Sequence, residues 1–368
     1  MEDSKLDLLS RAIRTRFKRR AVASTLAATF LATFGNSPGV GAKRKKKSVL
    51  CLDGETVKAS GKKKKQLIKS GATVGSCPAD CTPRCSGCGG SDGCGGRCGC
   101  QGNAICDEGT CRACDVVCAD NAVACGSKLS QALLKAGTIH VCPGRYAGNF
   151  EIAANTTLIG AGSEDDPSRG TILDARDNGR VINIADAVSQ VTMSGLRLTG
   201  GNIEDDGLGG AILAVTANVE IERCAIVANK ALSGGALYLG GRLQLTDSIV
   251  ADNSAVYGGG IYLDGCDDSF ITDSTISRNH ATIGVGGGIA VGYTRLTVVG
   301  SEISANDAAV YGGGIVALGA ELTLDADTSI IRNRSDGPGG GIHLDDESTF
   351  EGNGAQVADN IPDNCLGC

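Results

Sequence analysis

The sequence predicts an all-β solenoid of about nine or ten coils, each with three short parallel strands, closed at its N-terminal end by a helix and preceded by a disulfide-rich region. Three observations predict it. A glycine followed by Ala or Gly and then an aliphatic residue recurs as Gly210-Ala211-Ile212, Gly235-Ala236-Leu237, Gly259-Gly260-Ile261, Gly287-Gly288-Ile289, Gly313-Gly314-Ile315 and Gly340-Gly341-Ile342, with the aliphatic residue returning after 25, 24, 28, 26 and 27 residues. An asparagine keeps the same period at Asn229, Asn253, Asn279, Asn306, Asn333 and Asn360, each with Ile or Val three positions earlier, and Asn202 is expected to open the series. Within each period, Ile261-Tyr262-Leu263 and Leu243-Gln244-Leu245 alternate as strands and Ile276 marks a third, with no stretch long enough for a helix.

Strands this short cannot close a core within one repeat. Stacked about 4.8 Å apart, each pairs with its equivalent in the next coil and the aliphatics become an interior column. An asparagine at the same turn of every coil can bond its neighbour's backbone as a ladder. The glycines permit backbone angles and close approaches that a side chain forbids.

Ahead of the repeat, residues 1–42 have the make-up of an export signal. Lys18-Arg19-Arg20 is positive, Ala21 to Phe34 is a 14-residue apolar run, and Val40-Gly41-Ala42 offers small residues for cleavage. The run is too short to span a bilayer, and the Arg19-Arg20 pair resembles a twin-arginine signal. An exported, extracellular or cell-surface location is expected.

Residues 43–76 are lysine-rich, with runs at Lys43–Lys47 (one Arg among them) and Lys62–Lys65. Such runs are solubilising linkers or contacts for an anionic wall polymer or membrane surface; after export, nucleic acid is not an expected partner. Cys51 to Cys77 resembles a small two-cysteine module of exported bacterial proteins.

Charge divides along the chain. Residues 43–142 carry 16 Lys/Arg and 8 Asp/Glu, whereas residues 143–368 carry 12 and 30, a net −18. A basic proximal part and an acidic distal part suit anchoring at one end and exposure at the other.

Twelve of the 18 cysteines fall between Cys77 and Cys125, among glycines and little apolar material. No hydrophobic core can form there, so residues 77–126 read as a module held by disulfides. Cys85–Cys88 and Cys111–Cys114 have the gap of zinc ligands, but no histidine lies nearby and export favours oxidation. Leu129, Ala132, Leu133 and Ala136 have helical spacing, and the solenoid is expected over 127–368, with its capping helix near Leu129–Leu134.

The helix, Pro143-Gly144-Arg145-Tyr146 and Leu158-Ile159-Gly160-Ala161-Gly162 together resemble the beginning of pectate-lyase-like, right-handed three-stranded parallel β-helices. The paired anchors resemble the repeats of the polymorphic outer-membrane protein family and of bacterial right-handed β-helix repeat proteins. Ile or Val replaces the Phe of that family's Phe-x-x-Asn, and no transmembrane barrel is expected after the repeats, so the resemblance implies adhesion and the expectation is adhesion without barrel anchoring.

The fold does not settle catalysis. A glycosidase needs two carboxylates at defined separation. The outward row of the glycine-led strand, Leu213, Tyr238, Tyr262, Ala290, Val316 and His343, has none. Tyr238 and Tyr262 are candidates for a sugar-stacking pair. Six residues before each asparagine lie Arg223, Asp247, Asp273, Gly300 and Asp327; Asp247 and Asp273 are candidate ligands on adjacent coils, although Asp-Ser is ordinary turn chemistry. Calcium is a conceivable cofactor for Glu164-Asp165-Asp166, Glu204-Asp205-Asp206, Asp267-Asp268 and Asp345-Asp346-Glu347, but none has dedicated loop spacing. The expectation is a non-catalytic module that binds a polysaccharide or surface protein. The competing class is a secreted polysaccharide lyase or glycoside hydrolase.

Overall fold

The computed structural model describes residues 103–265 and 268–368, with Cys100, Lys65 and the strands Ser48–Leu52, Glu55–Ala59 and Thr73–Val74 ahead of them. The expected leader, the lysine runs up to Lys64, the cysteines from Cys77 to Cys98, and Cys266 with Asp267 lie outside the described residues. The three proximal strands form a small antiparallel sheet in which Cys51 faces both Thr56 and Thr73.

From Gly137 the chain winds as a parallel β-solenoid. Three nine-stranded sheets run its whole length. The first extends from Gly137–Val141 to Thr349–Glu351, the second from Gly144–Ala147 to Gln356–Ala358, and the third, which holds the glycine-led strands, from Phe150–Ile152 to Cys365–Leu366. Nine rungs are eight steps, roughly 38 Å of stack at strand spacing. A fourth, six-stranded sheet from Asn202–Leu208 to Arg334–Ser335 fills the corner between asparagine and glycines. Its strands are as short as His280–Ala281, too brief to show alternation.

Alternation puts the aliphatics inside. Ile226, Val250, Ile276, Ile303 and Ile330 stack in register in the second sheet, as do Leu237, Ile261, Ile289, Ile315 and Ile342 in the third, and all ten are fully buried. Each such side chain contributes about 2 kcal/mol by leaving water.

The turn from second to corner sheet carries the asparagine ladder. Asn253 Nδ2 donates to Asn279 Oδ1 at 2.9 Å and to the Ile226 carbonyl at 3.0 Å, while its backbone N–H donates to the same Oδ1 at 3.1 Å. This arrangement repeats from Asn229 to Asn360, and Asn364 ends it. Asn202 is not part of it. Asn202 pairs with Lys230, and Gly201 holds the ladder position, its N–H donating to Asn229 Oδ1. A Cβ at residue 201 would meet the Gly210 carbonyl oxygen at 2.0 Å, so no asparagine fits there.

The glycines divide their work. Gly258 has φ +59, a left-handed conformation that a side chain disfavours. Gly259 packs against the next rung, where a Cβ would meet Gly287 O and His280 C at 2.5 Å.

Helix α1 (Ala122–Ala132) covers the first rung, burying Cys125, Leu129 and Leu133 while Leu134 stays exposed. It lies earlier than the Leu129–Leu134 the sequence suggested, because the Asn121 side chain caps its start, accepting from Ala124 N at 3.1 Å, and Leu133 caps its end. Disulfides Cys118–Cys125 and Cys114–Cys142 fasten the preceding segment to helix and solenoid, and Cys100–Cys111 and Cys365–Cys368 are also bonded. Cys111 and Cys114 therefore serve different bonds. Among the described residues Cys224 is a free thiol, buried in the core.

Candidate functional site

The outer face of the third sheet gathers aromatic side chains. Register aligns Leu213, Tyr238, Tyr262, Ala290, Val316 and His343 in one row, because every second residue of a strand points outward. Tyr238 and Tyr262 stack with ring centroids 5.3 Å apart and planes 9° from parallel. Tyr238 is nearly buried, and its hydroxyl donates to Asp264 Oδ2 at 2.9 Å. The two rings turn faces toward each other.

Three further tyrosines join them from the corners, each over a glycine of the next rung. A Cβ on Gly284 would lie 2.6 Å from the Tyr257 ring, one on Gly319 3.0 Å from Tyr293, and one on Gly337 2.9 Å from Tyr311. The glycines are the slots in which these rings rest. Tyr311 stacks on His343 at 4.6 Å. Tyr257, Tyr262, Val310, Tyr311 and Leu318 pack on Val285, Ala290 and Val316, a small apolar cluster outside the coil. Five of the chain's six tyrosines thus build one strip; the sixth, Tyr146, is buried beneath helix α1. The sequence held a signal for this, the return of Gly about 26 residues after Tyr.

Burial raises the Tyr262 hydroxyl pKa, and Asp264, Tyr257 and Tyr293 add to the rise. Burial lowers the His343 pKa, and its Nδ1 is buried without a hydrogen-bond partner. Tyr293 is the strip's outermost ring, 51% exposed, and it has φ +52 at a corner where neighbouring rungs have Gly265 and Gly319.

Asp247 and Asp273 lie elsewhere, on adjacent rungs at the turn from first to second sheet. Both are exposed and both have φ +48. Behind them Ser248 N–H donates to Ser274 Oγ and Ser274 N–H to Ser301 Oγ, a second ladder. Asp327 leaves the row because its turn is longer. There Asp325 accepts from Gly300 N–H and Thr328 Oγ1, and these bonds hold its carboxyl below the usual range, Thr328's contributing most.

The acidic loops are engaged in several ways. Asp165 pairs with Arg145 and Arg197, Asp268 pairs with Arg295, and Asp345 accepts from Gly319 N–H and Ser348 Oγ. The side chains of residues 204–206 lie outside the described residues. Among the described residues no three His, Cys, Asp or Glu converge as a metal site. The histidines are far apart in the fold: His140 bridges Asp107 and Asp115, and His280 meets Asp307.

Comparison by family decides the class of this solenoid, for a model described as "right handed beta helix region" matches residues 182–362. Residues 182–362 form a right-handed β-helix. No curated protein and no solved structure matches the chain, so similarity of the β-helix to polymorphic outer-membrane repeats rests on its motifs alone. The tyrosine strip lies within the matched stretch of the β-helix, as do Asp247 and Asp273.

Proposed function

We propose that this protein is an exported, non-catalytic binding rod that holds an extended polysaccharide along the tyrosine strip of its third sheet. One observation carries the reading: five of six tyrosines lie on one face, spaced by the rungs, in a chain with no tryptophan. Aromatic surface of this kind meets sugar rings with apolar contact and hydroxyl hydrogen bonds together. Export is supported by the make-up of residues 1–42 and by the disulfides, which persist in oxidising compartments.

A lyase or hydrolase reading draws on Asp247 and Asp273, one rung apart and so about 4.8 Å between backbones, within reach of a retaining pair. Their left-handed turn geometry and the serine ladder behind them account for both residues without catalysis. The test is a screen of the purified protein against neutral, amine-bearing and uronate polysaccharides, recording retention, reducing ends and the ultraviolet absorbance of unsaturated products. Retention without turnover is expected. Turnover abolished by Asp247→Asn or Asp273→Asn would overturn the non-catalytic reading.

A further inference from the structure

Electrostatics around the strip narrows its ligand. The segments that build it, residues 256–265, 283–294, 309–320 and 337–348, contain no lysine or arginine, whereas they contribute Asp264, Asp345, Asp346 and Glu347. Four carboxylates elsewhere on the solenoid, Asp252, Asp268, Glu321 and Asp174, are paired with arginines. Among the described residues no cationic side chain pairs with Asp264 or Glu347.

These two carboxylates flank the exposed ring. Asp264 shares an outward register row with Gly292, the residue before Tyr293, and the space a Cβ would take at Gly292 lies 3.9 Å from Asp264 Oδ1. On the far side, the space a Cβ would take at Gly319 lies 3.0 Å from the Tyr293 ring and 3.7 Å from Glu347 Oε2. A half-exposed aromatic face between two carboxylates is the chemistry that holds an alkylammonium group, by cation–π attraction and by charge. The backbone of Tyr293 points the same way. A bulky side chain in the left-handed region costs of the order of 1 kcal/mol, and the equivalent positions one rung before and after are glycine. Between Gly265 and Gly319 the tyrosine stands where its immediate neighbours have glycine.

We infer that the strip takes an amine-bearing linear glycan, with Tyr293, Asp264 and Glu347 receiving an ammonium group and Tyr262 and Tyr257 lining the polymer beside it. Uronate and sulfated polymers are repelled by the same carboxylates. This inference rests on the polysaccharide-binding reading and specifies its substrate class.

The test measures binding of the full chain to glucosamine oligomers, to their N-acetylated counterparts and to oligogalacturonate, at mildly acidic pH, with an oligolysine peptide as a fourth ligand. Glucosamine oligomers are expected to bind about tenfold more tightly than the acetylated ones, with oligogalacturonate unbound and affinity falling as salt rises. Tyr293→Gly restores the residue of the adjacent rungs, so the fold is kept while binding weakens about tenfold. Asp264→Asn and Glu347→Gln each bring the charged and acetylated oligomers toward equal affinity. Equal binding of both oligomers by the unmodified protein would overturn the charge assignment and leave the polysaccharide reading standing. Capture of oligolysine with every oligomer unbound would overturn the glycan assignment and that reading with it. Glucosamine binding indifferent to Tyr293→Gly would overturn the site.

Discussion

Asn279 Nδ2 donates to Asn306 Oδ1 at 3.0 Å, and both side chains are almost wholly buried. Asn279 also gives a bond to the Val250 carbonyl, and its own Oδ1 accepts from both the backbone and side chain of Asn253. One side chain therefore satisfies buried groups on the rung before and the rung after its own, in a turn whose preceding residue, Arg278, is left-handed at φ +54.

Asn279→Ala removes these bonds and leaves buried donors and an acceptor without partners, each costing about 1–3 kcal/mol. A loss of about 3–5 kcal/mol is expected from urea unfolding. Asn360→Ala, at the end of the ladder where water reaches, is expected to cost about half as much. Asn202→Ala, outside the ladder, should stay within about 0.5 kcal/mol. Equal effects at Asn202 and Asn279 would contradict the ladder assignment.

The glycine corner predicts an asymmetry between neighbours. Gly259→Ala drives a Cβ into backbone carbonyl and carbon atoms of the next rung, which cannot retreat without breaking strand pairing. A Cβ on Gly260 meets one backbone atom, the Gly288 carbonyl oxygen at 2.6 Å, against three for Gly259, and Ala211 and Ala236 fill the Gly260 position in earlier rungs. Thermal melting should drop several degrees further for Gly259→Ala than for Gly260→Ala.

Much of this is legible in the sequence. Two anchors of one period located the rungs, the buried columns and the outward row of Tyr238 and Tyr262. The start of the ladder was misplaced because Asn202 is adjacent to the right position, whereas the spacing from Leu198 pointed to Gly201. The corner sheet is not legible because five of its six strands have only two to four residues and carry no measurable alternation. Tyr257, Tyr293 and Tyr311 were missed as partners of Tyr262 because corner residues follow no face rule. Only the stacking of one rung on a glycine of the next brings them together.

Burial raises the Cys224 thiol from its ordinary 9.0 to about 12. The native state therefore keeps a proton that the unfolded chain releases. The stabilisation is present in full below the unfolded value and is lost as pH rises toward the folded one. Stability should fall with pH across that alkaline window, with Tyr146 and Tyr262 acting in the same direction. Cys224→Ala should flatten the decline. In the native protein near neutral pH, a thiol reagent is expected to leave Cys224 unlabelled until denaturant is added.

Cys114–Cys142 closes a loop with a sequence separation of 28, for which the chain-entropy account gives about 3–4 kcal/mol. The double change Cys114→Ser, Cys142→Ser is expected to raise hydrogen exchange first in the Gly137–Val141 strand and under helix α1, while the rungs beyond Asn279 keep their protection. Uniform loss of protection along the solenoid would show that the disulfide acts on the whole rod.

The central claim is that the tyrosine strip is the binding surface. With no tryptophan in the chain and five of six tyrosines on that face, tyrosine absorption and emission report on it almost alone. The decisive measurement is the near-ultraviolet difference spectrum of the protein titrated with a retained polysaccharide. The account predicts a saturable tyrosine perturbation that tracks retention and shrinks in Tyr293→Gly. A polymer that is retained at saturation while the tyrosine spectrum stays unchanged would contradict it.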